Sequence, residues 1–187
     1  SRGLGDVYKR QACGRAIRQI IEDAGLSLKV AVITGDDLMP KLDQVLDSEP
    51  AEMFTDEPTP PREAIASANA YLGAFPIAEA LHQGADIVVT GRCVDSAVTL
   101  GACIHRFGWL RDDLDLLAAG SLAGHLIECG PQATGGNYTD WHEVADSLHE
   151  VGYPIAEIAA DGSVVMTKPQ GTGGCVTIGT VGEQLLY

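Results

Sequence analysis

LKVAVIT (residues 28–34) and ADIVVTG (residues 85–91) are short apolar runs, rich in β-branched residues and closed by glycine. A run of this length without polar alternation predicts a strand covered on both sides. Upstream, Cys13, Ile17, Ile20, Ile21 and Ala24 recur at helical spacing, and Gly25 supplies the stop. Between the two runs, Leu38, Leu42, Val45 and Leu46 mark a helix that tolerates Pro40 in its first turn. PIAEALHQG (residues 76–84) then predicts a short helix opening on Pro76 and ending at Gly84. DSAVTLGACIHRFG (residues 95–108) is a nearly all-apolar helix after the second run. Helices alternating with apolar strands predict crossover connections. The expected fold is therefore α/β, a mostly parallel sheet with helices on both faces.

The rest of the chain extends this plan. Residues 48–62 are acidic, carry four prolines and read as a loop. Residues 112–128 form a further helix, in which Gly120 and Gly124 thin one face so that a neighbouring backbone can approach. YPIAEIAADGSVVMTK (residues 153–168) reads as a β-hairpin turning through Asp161-Gly162. CVTIGTVGEQLLY (residues 175–187) predicts a helix despite its β-branched residues. Residues 12–187 are thus expected to form a single α/β domain. The opening SRGLGDVYKRQ (residues 1–11) has no periodicity, and its DVYKRQ resembles translated sequencing adapter at the broken ends of environmental sequence fragments. It is expected to be a non-native tail that packs against nothing substantial. Its Gly3-Leu4-Gly5 is no nucleotide fingerprint, because no strand precedes it and no third glycine completes it.

The 26 acidic residues against 12 basic ones give a formal charge of −14. Phosphate backbones and anionic membranes both require clustered Lys and Arg, and the largest cluster is Lys9-Arg10. Neither nucleic acid nor membrane is an expected partner. Five cysteines, an odd number with no C-x-x-C pair, point to reduced thiols and a cytoplasmic location.

In parallel α/β sheets, ligands bind where strands give way to helices. Asp36 and Asp37 follow the first run, where capping is the simpler reading and a ribose or cation contact the alternative. Arg92 and Asp95 follow the second, with Asp95 placed as a helix cap. A guanidinium beside a helix N-terminus suits a carboxylate or phosphate; a structural salt bridge is the equal alternative. His125, Glu128 and Cys129 stand at i, i+3 and i+4, on one side of a helix. Acid/base chemistry by His125 or Glu128 is preferred over a metal, since no second cluster has metal-ligand spacing. Cys129 and Cys93 are nucleophiles only where their thiolates are stabilised.

Pro131-Gln132-Ala133-Thr134-Gly135-Gly136 is echoed by Pro169-Gln170-Gly171-Thr172-Gly173-Gly174. Glycines permit turns whose N–H groups face inward, and threonine adds a hydroxyl. Both turns are therefore expected to serve one anionic ligand, with Asn137, Tyr138 and Asp140 orienting it and Lys168 adding positive charge. The second turn is expected to present its amides to a cleft.

Taken together, SANAYLGAFPIAEALHQGADIVVTGRCVDSAVTLG, FGW, DDLDLLAAGSLAGHLIECGPQATGGNYTD, GYPIAEIAADGSVVMTKPQGTGG and EQLLY resemble the acyclic terpene utilisation family. The similarity extends from about Ala12 to Tyr187. It implies an internal fragment, since members begin with a glycine-rich segment and continue beyond this C-terminal end. It also implies a setting in the catabolism of citronellol- and geraniol-type compounds, through branched acyl-CoA and carboxylate intermediates. Arg92, Asp95, His125, Glu128, Thr134, Gly135, Gly136, Lys168 and Thr172 occupy matching positions. Family phrases often carry a hydrophobic residue at Cys93, which argues against a nucleophile there. Two function classes follow. One is an enzyme acting on a branched acyl-CoA or organic acid by hydratase- or lyase-like proton transfer. It needs no nicotinamide or P-loop motif, CoA entering as part of the substrate, and a homo-oligomer is expected. The other is a non-catalytic ligand-binding or assembly subunit of a carboxylase or transferase system.

Overall fold

The computed structural model describes residues 4–187, with side chains from Arg10 onward. The chain divides into two compact units at Val94 and Asp95.

In the first unit, α1 (Leu4–Asp23) ends where Gly25 turns left-handed at φ +65° and the Leu26 amide donates to the Ile21 carbonyl. β1 (Val30–Ile33) and β2 (Ile87–Thr90) pair in parallel, Val30 opposite Ile87 and Ile33 opposite Thr90. The two apolar runs are thus strands, as their composition predicts, and they are immediate neighbours. Helix α1 packs on both strands, and so does α3 (Phe75–His82), which opens on Pro76. Gly14 lets α1 come close: a β-carbon there would stand 2.5 Å from Val32 Cγ2. α2 (Leu42–Leu46) follows a 3₁₀ turn containing Pro40. Residues 48–62 are loop, turned at Glu49 and Asp56 through left-handed φ angles of 48° and 55°.

Two expectations are corrected in this unit. The described residues form a two-stranded parallel pair, not a mostly parallel sheet. Only these two runs have two-sided apolar character, and their strands are half-buried rather than enclosed. The second difference concerns residues 1–11, expected to make no substantial contact. Helix α1 continues unbroken through residues 11 and 12, and Arg10 is buried against Asp36 in an ion pair. Val7 and Tyr8, whose side chains bear on the same expectation, lie outside the described side chains.

In the second unit, α4 (Ala97–Phe107) ends at left-handed Gly108 and packs on α5 (Leu114–Glu128). Its cap position is Ser96 rather than Asp95. The glycine notch forms as expected, Gly124 of α5 lying against the Ser96 backbone and Gly120 against Leu100 and Trp109. Buried Trp109 donates its indole N–H to the Ala160 carbonyl at 3.0 Å, tying the helix pair to the hairpin. β3 (Ile155–Ile158) and β4 (Val164–Thr167) are antiparallel and turn through Asp161-Gly162, with Gly162 at φ +83°. Helix α6 (Ile178–Leu186) starts in a capping box between Thr177 and Thr180, and packs on α5 and on the 3₁₀ turn Gly130–Thr134.

The notch makes a quantitative prediction. Gly124→Ala gains about 1 kcal/mol of helix propensity, but sets a methyl 2.7 Å from the Ser96 carbonyl oxygen and 2.8 Å from its Cα. Backbone cannot yield cheaply, so overpacking of about 1–3 kcal/mol prevails, and urea unfolding should show a net loss. Gly120→Ala meets side-chain atoms that can shift, and should cost less. An unchanged or raised midpoint for G124A would contradict this packing.

Candidate active site at the end of helix α5

Helix α5 ends because Cys129 leaves helical geometry and Gly130 turns left-handed at φ +60°, with Pro131 next. The last turn therefore projects its side chains at the edge of the unit. His125 is half-buried and Glu128 exposed, so neither lies in a closed apolar core. The Cys129 thiol donates to Glu128 Oε1 at 2.6 Å. That bond, burial and the Glu128 charge raise the thiol's pKa, with Asp95 adding to the rise and a hydrogen bond from Gln184 opposing it. Cys129 thus stays protonated near neutral pH, the reverse of what a nucleophile needs. Glu128 beside it in sequence, and Asp95 and Gln184 from far along the chain, all act on the Cys129 thiol here.

The glycine turns meet. Thr134 has no solvent exposure: its hydroxyl bonds the Gly152 carbonyl at 2.6 Å and the Pro131 carbonyl at 3.0 Å. Its own carbonyl accepts from the Cys175 amide at 2.9 Å, which joins the first turn to the end of the second. The amides expected to face an anion are spent internally. Gly135 donates to Gln132, Gly136 to Pro131, Gly173 to the Glu150 carbonyl, and Gly174 to Ser147 Oγ. Glycine is required for contact at the second turn, since a β-carbon at Gly173 would overlap the Ser147 carbonyl and one at Gly174 the Thr134 carbonyl. Lys168 Nζ donates to the Thr172 carbonyl at 2.6 Å and to its hydroxyl at 3.3 Å, closing the Pro169–Thr172 turn. Asn137 is exposed. Tyr138 lies along Gly179 of α6 and donates to Glu143 at 3.3 Å; burial and the Glu143 and Asp140 charges raise its pKa.

In the first unit, Arg92 lies beyond the C-terminal end of β2, its guanidinium 4.7 Å above the Tyr71 ring. The Arg92 amide donates to buried Asp36 at 3.3 Å, and Gly91 leaves room for the Asp36–Arg10 pair. Asp37 accepts from the Met39 amide at 3.0 Å, an Asx-type turn ahead of a 3₁₀ turn whose cap position is Leu38, so it does not cap a helix as expected.

A family model, acyclic terpene utilisation family protein AtuA, matches residues 7–187. The chain belongs to this family. No curated protein and no solved structure matches significantly. Membership in the acyclic terpene utilisation family sets the metabolic context, while the reaction must be argued from the residues. Among the described residues, no helix is long and apolar enough to cross a membrane, and no three His, Cys, Asp or Glu side chains are grouped to hold a metal ion.

Sequence reasoning missed Gln184, which is fully buried and donates from Nε2 to the His125 carbonyl at 2.8 Å. It also missed Gln132, whose Oε1 is buried, like that of Gln184, without a partner among the described residues. The available signal was in α6, where Thr180 and Gln184 form a polar i, i+4 pair opposite Ile178 and Leu185.

The Cys129–Glu128 bond predicts thiol reactivity. At pH 8, Cys129 should alkylate with iodoacetamide several-fold more slowly than exposed Cys13, and Glu128→Gln should accelerate it by removing the charge that raises its pKa. Mass spectrometry of the labelled peptides measures both rates. A Cys129 rate unaffected by E128Q would contradict the pairing.

Proposed function

We propose that this chain carries the proton-transfer site of a catabolic enzyme acting on a branched acyl-CoA or organic acid. The chemistry is hydratase- or lyase-like and operates within acyclic terpene utilisation. The observation that carries the reading is the exposed Glu128 carboxylate at the end of α5, holding the Cys129 thiol at 2.6 Å one turn beyond half-buried His125. A carboxylate at a solvent-accessible rim can take a proton from carbon or water, and an imidazole one turn away can return one. Asp95, whose charge acts on the same thiol, belongs to this cluster.

Anion recognition falls to side chains rather than to the turn amides. Within the first unit, Arg92, stacked on Tyr71 at a strand end, is a candidate carboxylate or phosphate contact of its own. Thr134, Gly135, Gly136, Thr172, Gly173, Gly174 and Lys168 then act by fixing the ground beside Glu128, and exposed Asn137 borders it. We read the protein as a cytoplasmic homo-oligomer with a small anionic substrate and no nucleic-acid or membrane partner. Its charge of −14 supports the last two exclusions.

One observation favours the second reading, a ligand-binding or assembly subunit. The amides of both glycine turns are engaged within the protein, which weakens the phosphate cradle that a free-standing acyl-CoA enzyme would use.

The test is turnover of branched 2-enoyl-CoA thioesters by the full chain, followed by loss of enoyl absorbance. Glu128→Gln and His125→Gln should each lower kcat by about 100-fold or more, with melting temperatures near wild type. Wild-type rates in both variants would overturn the reading. Turnover that appears only with a second protein present would favour the assembly subunit.

A further inference from the structure

Helix α6 turns its polar side inward. Thr180 and Gln184 are 1% and 0% exposed, while Ile178 and Leu186 are 95% and 87% exposed. A helix packed for stability alone buries its aliphatic stripe. Thr180 is fully employed, completing the capping box and reaching the Cys175 carbonyl at 3.3 Å. Gln184 is not. Its Nε2 donates to the His125 carbonyl, and its Oε1 has no partner among the described residues. The bond to a carbonyl fixes which end of the amide is nitrogen, so the unpartnered atom is an acceptor. A buried carbonyl left unpaired costs about 1–3 kcal/mol, and native interiors carry one where water or a ligand brings the donor.

The surroundings define that donor. Exposure falls from Glu128, at the surface, through half-buried Cys129 to enclosed Gln184, and the Cys129 thiol donates to Glu128 Oε1. The oxygens along this line, Glu128 Oε1 and Gln184 Oε1, are acceptors. An acceptor wall repels a carboxylate or phosphate and receives an O–H group. We infer that Gln184 is a substrate-anchoring residue, whose Oε1 accepts a hydrogen bond from the hydroxyl of a hydroxyacyl substrate held beside Glu128. The inference rests on the acyl-CoA reading above and adds the group that is recognised and the residue that recognises it.

The experiment is calorimetric titration of the full chain with 3-hydroxybutyryl-CoA and butyryl-CoA. The wild type should bind the hydroxylated thioester about tenfold more tightly, and Gln184→Met, which keeps length and loses the acceptor, should bind the two equally. Equal binding of both by the wild type, or a preference that survives in Q184M, overturns the inference and leaves the acyl-CoA reading standing. Binding of neither overturns both. Should Q184M not fold, a crystal structure of the wild type with 3-hydroxybutyryl-CoA decides. The substrate hydroxyl within hydrogen-bond distance of Gln184 Oε1 supports the inference; an ordered water on that atom, with the hydroxyl elsewhere, overturns it.

Discussion

The buried hydrogen bonds of Thr134 organise the second unit. One residue ties three segments: its hydroxyl reaches back to Pro131 and across to Gly152, and its carbonyl takes the Cys175 amide. With no solvent available, each of these polar atoms must be satisfied within the protein, and each lost partner would cost about 1–3 kcal/mol. Satisfying them brings the two Thr-Gly-Gly turns together. The glycines follow from that contact, because a side chain at Gly173 or Gly174 would occupy the place of a neighbouring carbonyl. Helix α6 starts just beyond this junction, at Ile178, and is thereby laid against the end of α5. The juxtaposition of Gln184 with His125 and Cys129 is a consequence.

Electrostatics separates the roles of the charged residues. In a chain of net charge −14, an anionic substrate needs a local cation. Lys168 is committed to the Thr172 carbonyl and hydroxyl, which makes it a clasp for its own turn. The Arg92 guanidinium stacks on the face of Tyr71, while its backbone amide bonds Asp36. Asp36 in turn is neutralised by Arg10, and the pair fits only because residue 91 has no side chain. Glu128 differs from Asp36 in being exposed, so solvent reaches its carboxylate.

Much of this was legible in the amino-acid order, for physical reasons. Uninterrupted β-branched runs are best satisfied by strands with apolar cover, so β1 and β2 could be anticipated as strands, though not as immediate neighbours. Gly120 and Gly124 in an otherwise apolar helix have no purpose except close approach, which Ser96 and Trp109 confirm. Asp161-Gly162 announced the hairpin. The extent of the sheet was not legible, because apolar runs specify strands but not how many neighbours each will have. The direction of the turn amides was not legible, since a tetrapeptide says where a chain can bend but not where its amides will point. Arg10 sat in a string with no pattern, and its partner Asp36 is 26 residues away. Gln184 was overlooked because the conspicuous residues of α6 are its exposed aliphatics.

The central claim is that the end of α5 moves protons to and from substrate carbon. Hydrogen exchange isolates that step from any later bond making or breaking. Wild-type full chain, incubated in deuterium oxide with a saturated branched acyl-CoA, should incorporate deuterium at the α-carbon of the thioester, as read by proton NMR. Incorporation should be lost when Glu128→Gln and His125→Gln are combined. Exchange at the same rate in that double variant, or no exchange in a wild-type protein that binds the thioester, would contradict the account.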